Sequence, residues 1–338
     1  MRPYRAPWWL PGGHLQTIYP YFVLGRRPPA YRRERWETPD GDFIDLDWVD
    51  GSPGGPLVVL FHGLEGGSGS HYAGALMRAV ARHRWRGVVV HFRGCSGEPN
   101  RLPRAYHSGD ADEIAWILQR LRGLDPATPI FAAGVSLGGN ALLKWLGRER
   151  ASARGIIDAA AAVSAPVDLT TAGDRLSSGF NRLYGRHFLQ SLRTKSLAKL
   201  ARFPGLYDVN VVRNARTLRE FDNVVTAPLH GYRDTDDYWH RASSKPDLGG
   251  ITVPTLIVHA HNDPFLPGHH LPAAGEVSAS VTLDFPRGGG HTGFASGPFP
   301  GNLDWLPQRL LGFFSERIPN CPEKPRTNVH HRGTEDAE

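Results

Sequence analysis

The chain has 338 residues, 40% hydrophobic and 21% charged, with 39 Lys and Arg against 33 Asp and Glu for a formal net charge of +6. That composition excludes the disordered and fibrous classes, and the length suffices for one large or two small cores. The basic excess is spread rather than striped among aromatics, so nucleic-acid binding is not expected, and the two cysteines, Cys95 and Cys321, supply neither a disulfide framework nor a Cys-based zinc site.

Residues 1–11 are interrupted by Pro3, Pro7 and Pro11 before any apolar run can form. Neither a signal peptide nor a membrane span is expected there, and the expected location is cytoplasmic, with at most peripheral membrane contact. Residues 31–37 and 42–49 alternate loosely about Thr38-Pro39-Asp40-Gly41. In that turn Pro sets φ and Gly tolerates a positive φ, so an antiparallel hairpin is expected. Nearly all-apolar runs follow at 57–61, 88–92, 130–133, 156–163 and 255–260. Such runs suit strands buried on both faces, as in a parallel sheet. Helical patterns at 71–84, 109–122 and 140–150 alternate with them, and 281–285 supplies a last strand. The expected fold class is α/β, with a mostly parallel central sheet, helices on both faces and an opening antiparallel hairpin.

Residues 168–248 break the rhythm: they are helix-like, aromatic and rich in Arg, with Phe180, Tyr184, Phe188, Leu189 and Leu192 at roughly helical spacing. A helical cap over the C-terminal edge of the sheet is expected, since ligands bind at that edge in such folds. The alternative is a set of packing helices away from the site. The expected organisation is one domain over 1–318 containing this insertion, then a polar, charged, disordered tail over 319–338.

Gly134-Val135-Ser136-Leu137-Gly138 follows an apolar strand and precedes a helix, the context that a G-x-S-x-G nucleophile elbow requires. Its glycines relieve collisions in a turn too tight for side chains two positions either side of the serine. A serine hydroxyl needs a base, and the partners of such an elbow follow in the order acid, then histidine. With 16 histidines, position decides. His291 lies in a glycine-rich loop directly after the last strand and is the candidate base. His259, His261, His269 and His270 come too early in the order, and His330 and His331 fall in the tail. Asp263, in the loop His261-Asn262-Asp263-Pro264, is the candidate acid that orients the imidazole. Asp168 is its rival, and a helix or turn cap is the plain role for either.

His62-Gly63-Leu64-Glu65-Gly66-Gly67 follows the strand at 57–61 and offers the backbone N–H of Leu64 as an oxyanion donor beside that of Leu137. A phosphate cradle would need a Walker lysine that is absent. Glu65 reads as a solvated loop charge. Arg93, in His91-Phe92-Arg93-Gly94-Cys95-Ser96-Gly97, reads as a loop tie through ion pairs, with a substrate-anion role as the alternative. Cys95 reads as a packed small residue rather than a nucleophile. His269-His270 is a weak ligand pair at best; no metal or cofactor is expected.

Pro7-Trp8-Trp9-Leu10-Pro11-Gly12-Gly13-His14-Leu15-Gln16-Thr17-Ile18 resembles the N-terminal signature of the YheT-like esterases, a branch of the α/β-hydrolases. The His62–Gly66 run, Arg93–Gly97, Tyr106-His107-Ser108-Gly109-Asp110, the stretch from Gly134 to Asn140, Asn262-Asp263-Pro264 and Gly289-Gly290-His291 resemble the remaining motifs. The resemblance spans roughly residues 5–315 and implies hydrolysis of carboxylic esters through an acyl-enzyme. It implies short- or medium-chain acyl esters or monoacylglycerol-like lipids as substrates, and Ser136, Asp263 and His291 as the triad. Thioesterase or amidase activity would use the same residues. A non-catalytic ligand-binding protein on this fold would normally lack one of the three.

Overall fold

In the computed structural model, residues 3–25 and 28–318 are described; the tail expected at 319–338 lies outside the described residues. The turn chemistry at 38–41 acts as its residues dictate: Gly41 takes φ 83° and its N–H donates to the Thr38 carbonyl at 3.0 Å. The turn joins β1 (Arg32–Glu37) to β2 (Phe43–Val49) in antiparallel register, Trp36 opposite Ile44, and β2 pairs antiparallel with β4 (Arg86–His91). Beyond β4 the sheet is parallel through β3 (Leu57–Phe61), β5 (Ile130–Val135), β6 (Ala159–Val163), β7 (Thr255–Val258) and β8 (Val281–Asp284). The strand order is β1-β2-β4-β3-β5-β6-β7-β8.

The period-2 alternation of each strand divides its side chains between two cores. Leu57, Val59, Phe61, Val88, Val90, Ala132, Ala160 and Ile257 face α3 (Ala111–Leu124) and α4 (Leu137–Glu149). Val58, Leu60, Val89, Phe131, Ala133, Val163 and Leu256 face α2 (His71–Arg82) and α11 (Trp305–Ser315). Burial on both faces explains why the central strands read as unbroken apolar runs. The run expected at 156–163 becomes a strand only from Ala159. Residues Arg150–Gly155 wind as a 3₁₀ turn, and the Asp158 carboxylate instead accepts from the Ile130 N–H and Arg122, both at 2.8 Å.

Between β6 and β7 lie α5 (Leu169–Leu176), α6 (Arg182–Arg202), α7 (Val209–Asn214), α8 (Leu218–Val224), α9 (Thr226–Leu229) and α10 (Thr235–Ala242). They share a separate apolar cluster that includes Leu176, Leu189, Val212, Phe221 and Trp239 and reaches Phe265 of the β7 loop. The sequence pattern left two helices unread. One is α11; the other is α1 (Gly13–Phe22), whose buried residues are the polar Gln16 and Thr17 and a proline, Pro20. Among the described residues, no helix is long and apolar enough to cross a membrane.

Candidate active site

The strand β5 ends at Val135 and α4 begins at Leu137, so the whole reversal of direction falls on Ser136, at φ 51° and ψ −119°. A non-glycine residue in the left-handed region costs about 1 kcal/mol or more and persists only where its surroundings enforce it. Here the Ser136 N–H donates to the Val163 carbonyl at 2.8 Å, and its own carbonyl accepts from Asn140 N at 3.0 Å. The flanking glycines are sterically required. A Cβ on Gly138 would stand 2.5 Å from the carbonyl oxygens of Phe61 and His62, and one on Gly134 would stand 2.5 Å from the carbonyl of Gly138.

The loops after β7 and β8 bring the other two expected residues to this serine. His291 Nε2 lies 3.0 Å from Ser136 Oγ, and His291 Nδ1 lies 2.9 Å from Asp263 Oδ2. Asp263 is 1% exposed, and its second oxygen accepts from the Phe265 N–H at 2.8 Å. Burial works against ionisation of Asp263, yet the imidazoles of His291 and His259 and the Phe265 N–H outweigh it and hold the carboxyl below its ordinary range. Phe265 also lies against the His291 ring, centroids 4.1 Å apart.

Several residues to which the sequence reading gave no positioning role fix this arrangement. The His291 N–H donates to Thr17 Oγ1 at 2.9 Å, and Thr17 donates in turn to the Gly13 carbonyl. Gln16 Oε1 accepts from the Gly289 N–H at 2.7 Å and from Asn262 Nδ2 at 2.9 Å, while Asn262 Oδ1 accepts from Gly290 N. The polar side of α1 thus ties the His291 loop to the Asp263 loop. His259, excluded as base by chain order, sits 3.3 Å from Asp263 Oδ2 and bonds the Leu266 carbonyl; burial lowers its pKa, keeping it a neutral donor.

In the loop after β3, tyrosine hydroxyls occupy the N–H groups on both sides of Leu64. Tyr72 accepts from Gly63 at 2.9 Å and Tyr106 from Glu65 at 2.8 Å. Leu137 opens α4, where first-turn N–H groups have no intrahelical acceptor. Leu64, Ser136, Leu137 and His291 line one cavity. His62 anchors the loop from below: its Nε2 accepts from Phe92 N, so its Nδ1–H donates to the Gly63 carbonyl at 2.7 Å. Burial depresses its pKa to about 3, which keeps it neutral.

Glu65 is a correction. It is not a solvated loop charge; its side chain is 9% exposed and its carboxylate bonds Tyr106, Ser191 and Lys195. Arg93 is a loop tie: its guanidinium is 3% exposed and paired with Glu113 at 2.6 Å, Asp40 at 2.8 Å and Asp42 at 3.2 Å. Asp168 caps α5, accepting from Thr171 N at 3.0 Å and from the Thr171 hydroxyl. Burial pushes the Cys95 thiol up to about 11, which leaves it protonated and unreactive near neutrality. His269 and His270 lie against each other in a 3₁₀ turn, ring centroids 4.2 Å apart.

The cavity has a volume of about 580 Å³, within the range that encloses a small-molecule ligand. Around it α5, α8 and α10 of the cap contribute apolar groups, Leu169, Ala172, Leu176, Leu218, Phe221 and Trp239, while α6 and the loops after β3 and β4 contribute polar ones, Lys195, Lys199, Glu65 and Asn100.

Residues 56–298 match a family model described as the alpha/beta hydrolase fold. The chain is 40% identical over 304 residues to the Escherichia coli (strain K12) protein named "Putative esterase YheT", covering 88% of each chain. It is 30% identical over 325 residues to "Phospholipase ABHD3" of Homo sapiens, covering 93% of this chain and 79% of that one. Among solved structures, the Pyrococcus furiosus esterase Pf2001 matches with a TM-score of 0.57 at 14% identity, over 88% of this chain and 96% of that one, a likeness of fold.

Proposed function

The chain belongs to the alpha/beta hydrolase fold family, as a YheT-like member and a serine hydrolase of carboxylic esters, and on that premise we propose that Ser136, His291 and Asp263 perform the hydrolysis through an acyl-enzyme. The observation that carries the reading is the unbroken relay: Asp263 Oδ2 to His291 Nδ1 at 2.9 Å, and His291 Nε2 to Ser136 Oγ at 3.0 Å. With Nδ1–H donated to the carboxylate, Nε2 is left as acceptor for the serine proton. Oγ then attacks the ester carbonyl carbon. The oxyanion is received by the N–H groups of Leu64 and Leu137, and the new imidazolium is stabilised by ionised Asp263. Nε2–H next protonates the departing alkoxide. Water enters, loses its proton to the same nitrogen, and releases the carboxylic acid in a second tetrahedral step.

The mixed lining of the cavity supports the substrate class. Its apolar groups suit a short or medium acyl chain, and its polar groups suit a hydrophilic alcohol such as the glycerol of a monoacylglycerol. A panel of p-nitrophenyl esters of increasing chain length, with matched thioester and anilide substrates, tests acyl length and bond class. Labelling by a fluorophosphonate, lost in Ser136→Ala, tests the nucleophile. Retained labelling in that variant would refute the assignment.

A further inference from the structure

We propose that Glu65 is a positioning residue that makes the oxyanion-hole donor depend on the seating of α6, so that the cap, besides shaping the acyl chamber, switches on the catalytic centre beneath it. The proposal rests on the reading of Leu64 and Ser136 given above.

Glu65 directly follows Leu64, and its backbone is held at φ 56°, a region that L side chains avoid. Such a residue returns to an ordinary conformation unless something restrains it, and the turn that would move, residues 63–66, includes the peptide that carries the Leu64 N–H. Two restraints act. From the body, the Tyr106 hydroxyl accepts from Glu65 N at 2.8 Å and donates to Glu65 Oε1 at 2.8 Å, while its ring lies flat against Phe92 at 5.4 Å. From the cap, Ser191 donates to Oε2 and Lys195 Nζ donates to Oε1 at 2.9 Å. Ser191 and Lys195 are four apart on α6 and so share one face. Further along the same helix, Lys199 bonds the carbonyls of Pro103 and Arg104 and Arg202 bonds those of Asn100 and Arg101, which fixes the height at which α6 sits.

The carboxylate of Glu65 is therefore shared between the floor of the site and its cap. A cap displaced far enough to admit substrate would withdraw a hydroxyl and an ammonium from a carboxylate that is 9% exposed. The turn would then be held from the body side alone, by its Gly66–Gly63 bond and by Tyr106. Seating α6 over a bound acyl chain restores all the bonds and with them the Leu64 donor.

The test leaves the body of the site untouched and cuts the link from the cap side, with Ser191→Ala/Lys195→Met, beside Glu65→Ala and Glu65→Gln. p-Nitrophenyl acetate is the substrate, because its acyl group is too short to need the chamber. Deleting an oxyanion donor typically lowers kcat about 10²–10³-fold, so displacing one predicts a loss of about 10- to 100-fold. We expect that loss in kcat, with KM changed less than about threefold, in both Glu65→Ala and the cap-side double variant. Fluorophosphonate labelling should slow by the same factor. Glu65→Gln, whose amide oxygen still accepts from Tyr106, should recover most of the rate. Wild-type kcat in the cap-side variant, a loss confined to KM, or a loss accounted for by the unfolded fraction at the assay temperature would overturn the proposal. Failure of Ser136→Ala to abolish labelling in the same experiment would instead overturn the assignment of the nucleophile.

Discussion

Replacing Asp263 with Asn keeps the size of the side chain and removes its charge, and the surroundings of Asp263 determine the consequence. One carboxylate oxygen faces His291 Nδ1 at 2.9 Å and His259 Nε2 at 3.3 Å, and the other faces the Phe265 N–H at 2.8 Å. Donors stand on both sides, so an amide with one oxygen and one NH₂ cannot satisfy them together. With NH₂ toward His291, the imidazole is forced to place its proton on Nε2 and can no longer accept from Ser136. With NH₂ toward Phe265, two buried donors face each other, an arrangement that costs about 1–3 kcal/mol. In either orientation the imidazolium formed during catalysis loses a counter-charge worth about 4 kcal/mol at a separation of about 4 Å and an effective dielectric near 20. The expected fall in kcat is therefore about 10³–10⁴-fold. Steady-state hydrolysis of p-nitrophenyl butyrate gives kcat, and thermal unfolding of the same samples confirms that the protein measured is folded. Asp168→Asn serves as the comparison, because Asn caps a helix as well as Asp does and α5 should keep its N-terminus, with kcat within about twofold of wild type. An Asp263→Asn enzyme within tenfold of wild type, or a large loss in Asp168→Asn, would refute the assignment of the acid.

Thr17→Val preserves shape but leaves the buried His291 N–H without an acceptor, at about 1–3 kcal/mol. Turnover should fall about tenfold and the unfolding midpoint should drop, whereas an unchanged kcat would show that α1 does not hold the base. Ala172→Phe places a ring among the apolar groups that line the cavity. It should lower kcat/KM for decanoyl esters more than about tenfold while sparing acetyl esters, and equal loss on both would remove the acyl chain from this chamber. Burial pushes the Asp222 carboxyl, which bonds Thr226 and Trp239 inside the cap, up from 3.8 to about 6. Its stabilising share is therefore present below pH ~4 and lost as pH rises through ~6, a change of about 2–3 kcal/mol. Asp222→Asn should raise stability to urea at pH 7 but not at pH 4; a pH-independent difference would contradict the shift.

The central sheet and the elbow could be read from the sequence because their causes are local. A strand buried on both faces must be apolar throughout, and a turn that reverses within one residue must have glycines at fixed offsets, so 57–61 and Gly134–Gly138 announce themselves. That Asp263 and His291 would meet beside Ser136 was legible for a different reason. Each follows a strand of the parallel sheet, and a parallel sheet delivers all such loops to the same edge. Glu65 was misread because nothing local distinguishes a loop carboxylate in water from one covered by a helix more than a hundred residues later; Ser191 and Lys195 supply the difference.

The His291 loop shows most sharply why long-range partners escape a reading of the sequence. It leaves β8, a four-residue edge strand with only partly buried side chains, and runs through Gly289, Gly290 and Thr292 at positive φ. Such an edge cannot position an imidazole to within a few tenths of an ångström. The loop takes its position from elsewhere: Gln16 and Thr17 on α1, Asn262 beside the acid, and Ser164, whose hydroxyl accepts from Thr292 N at 3.1 Å. The first two lie more than 270 residues upstream, on a helix that turns polar groups inward and that hydrophobic periodicity therefore passes over. The polarity of α1 is what its task requires. A helix that packed by apolar contact alone could cover the loop, but only hydrogen-bonding groups can fix the orientation of its N–H donors and so the direction in which His291 points.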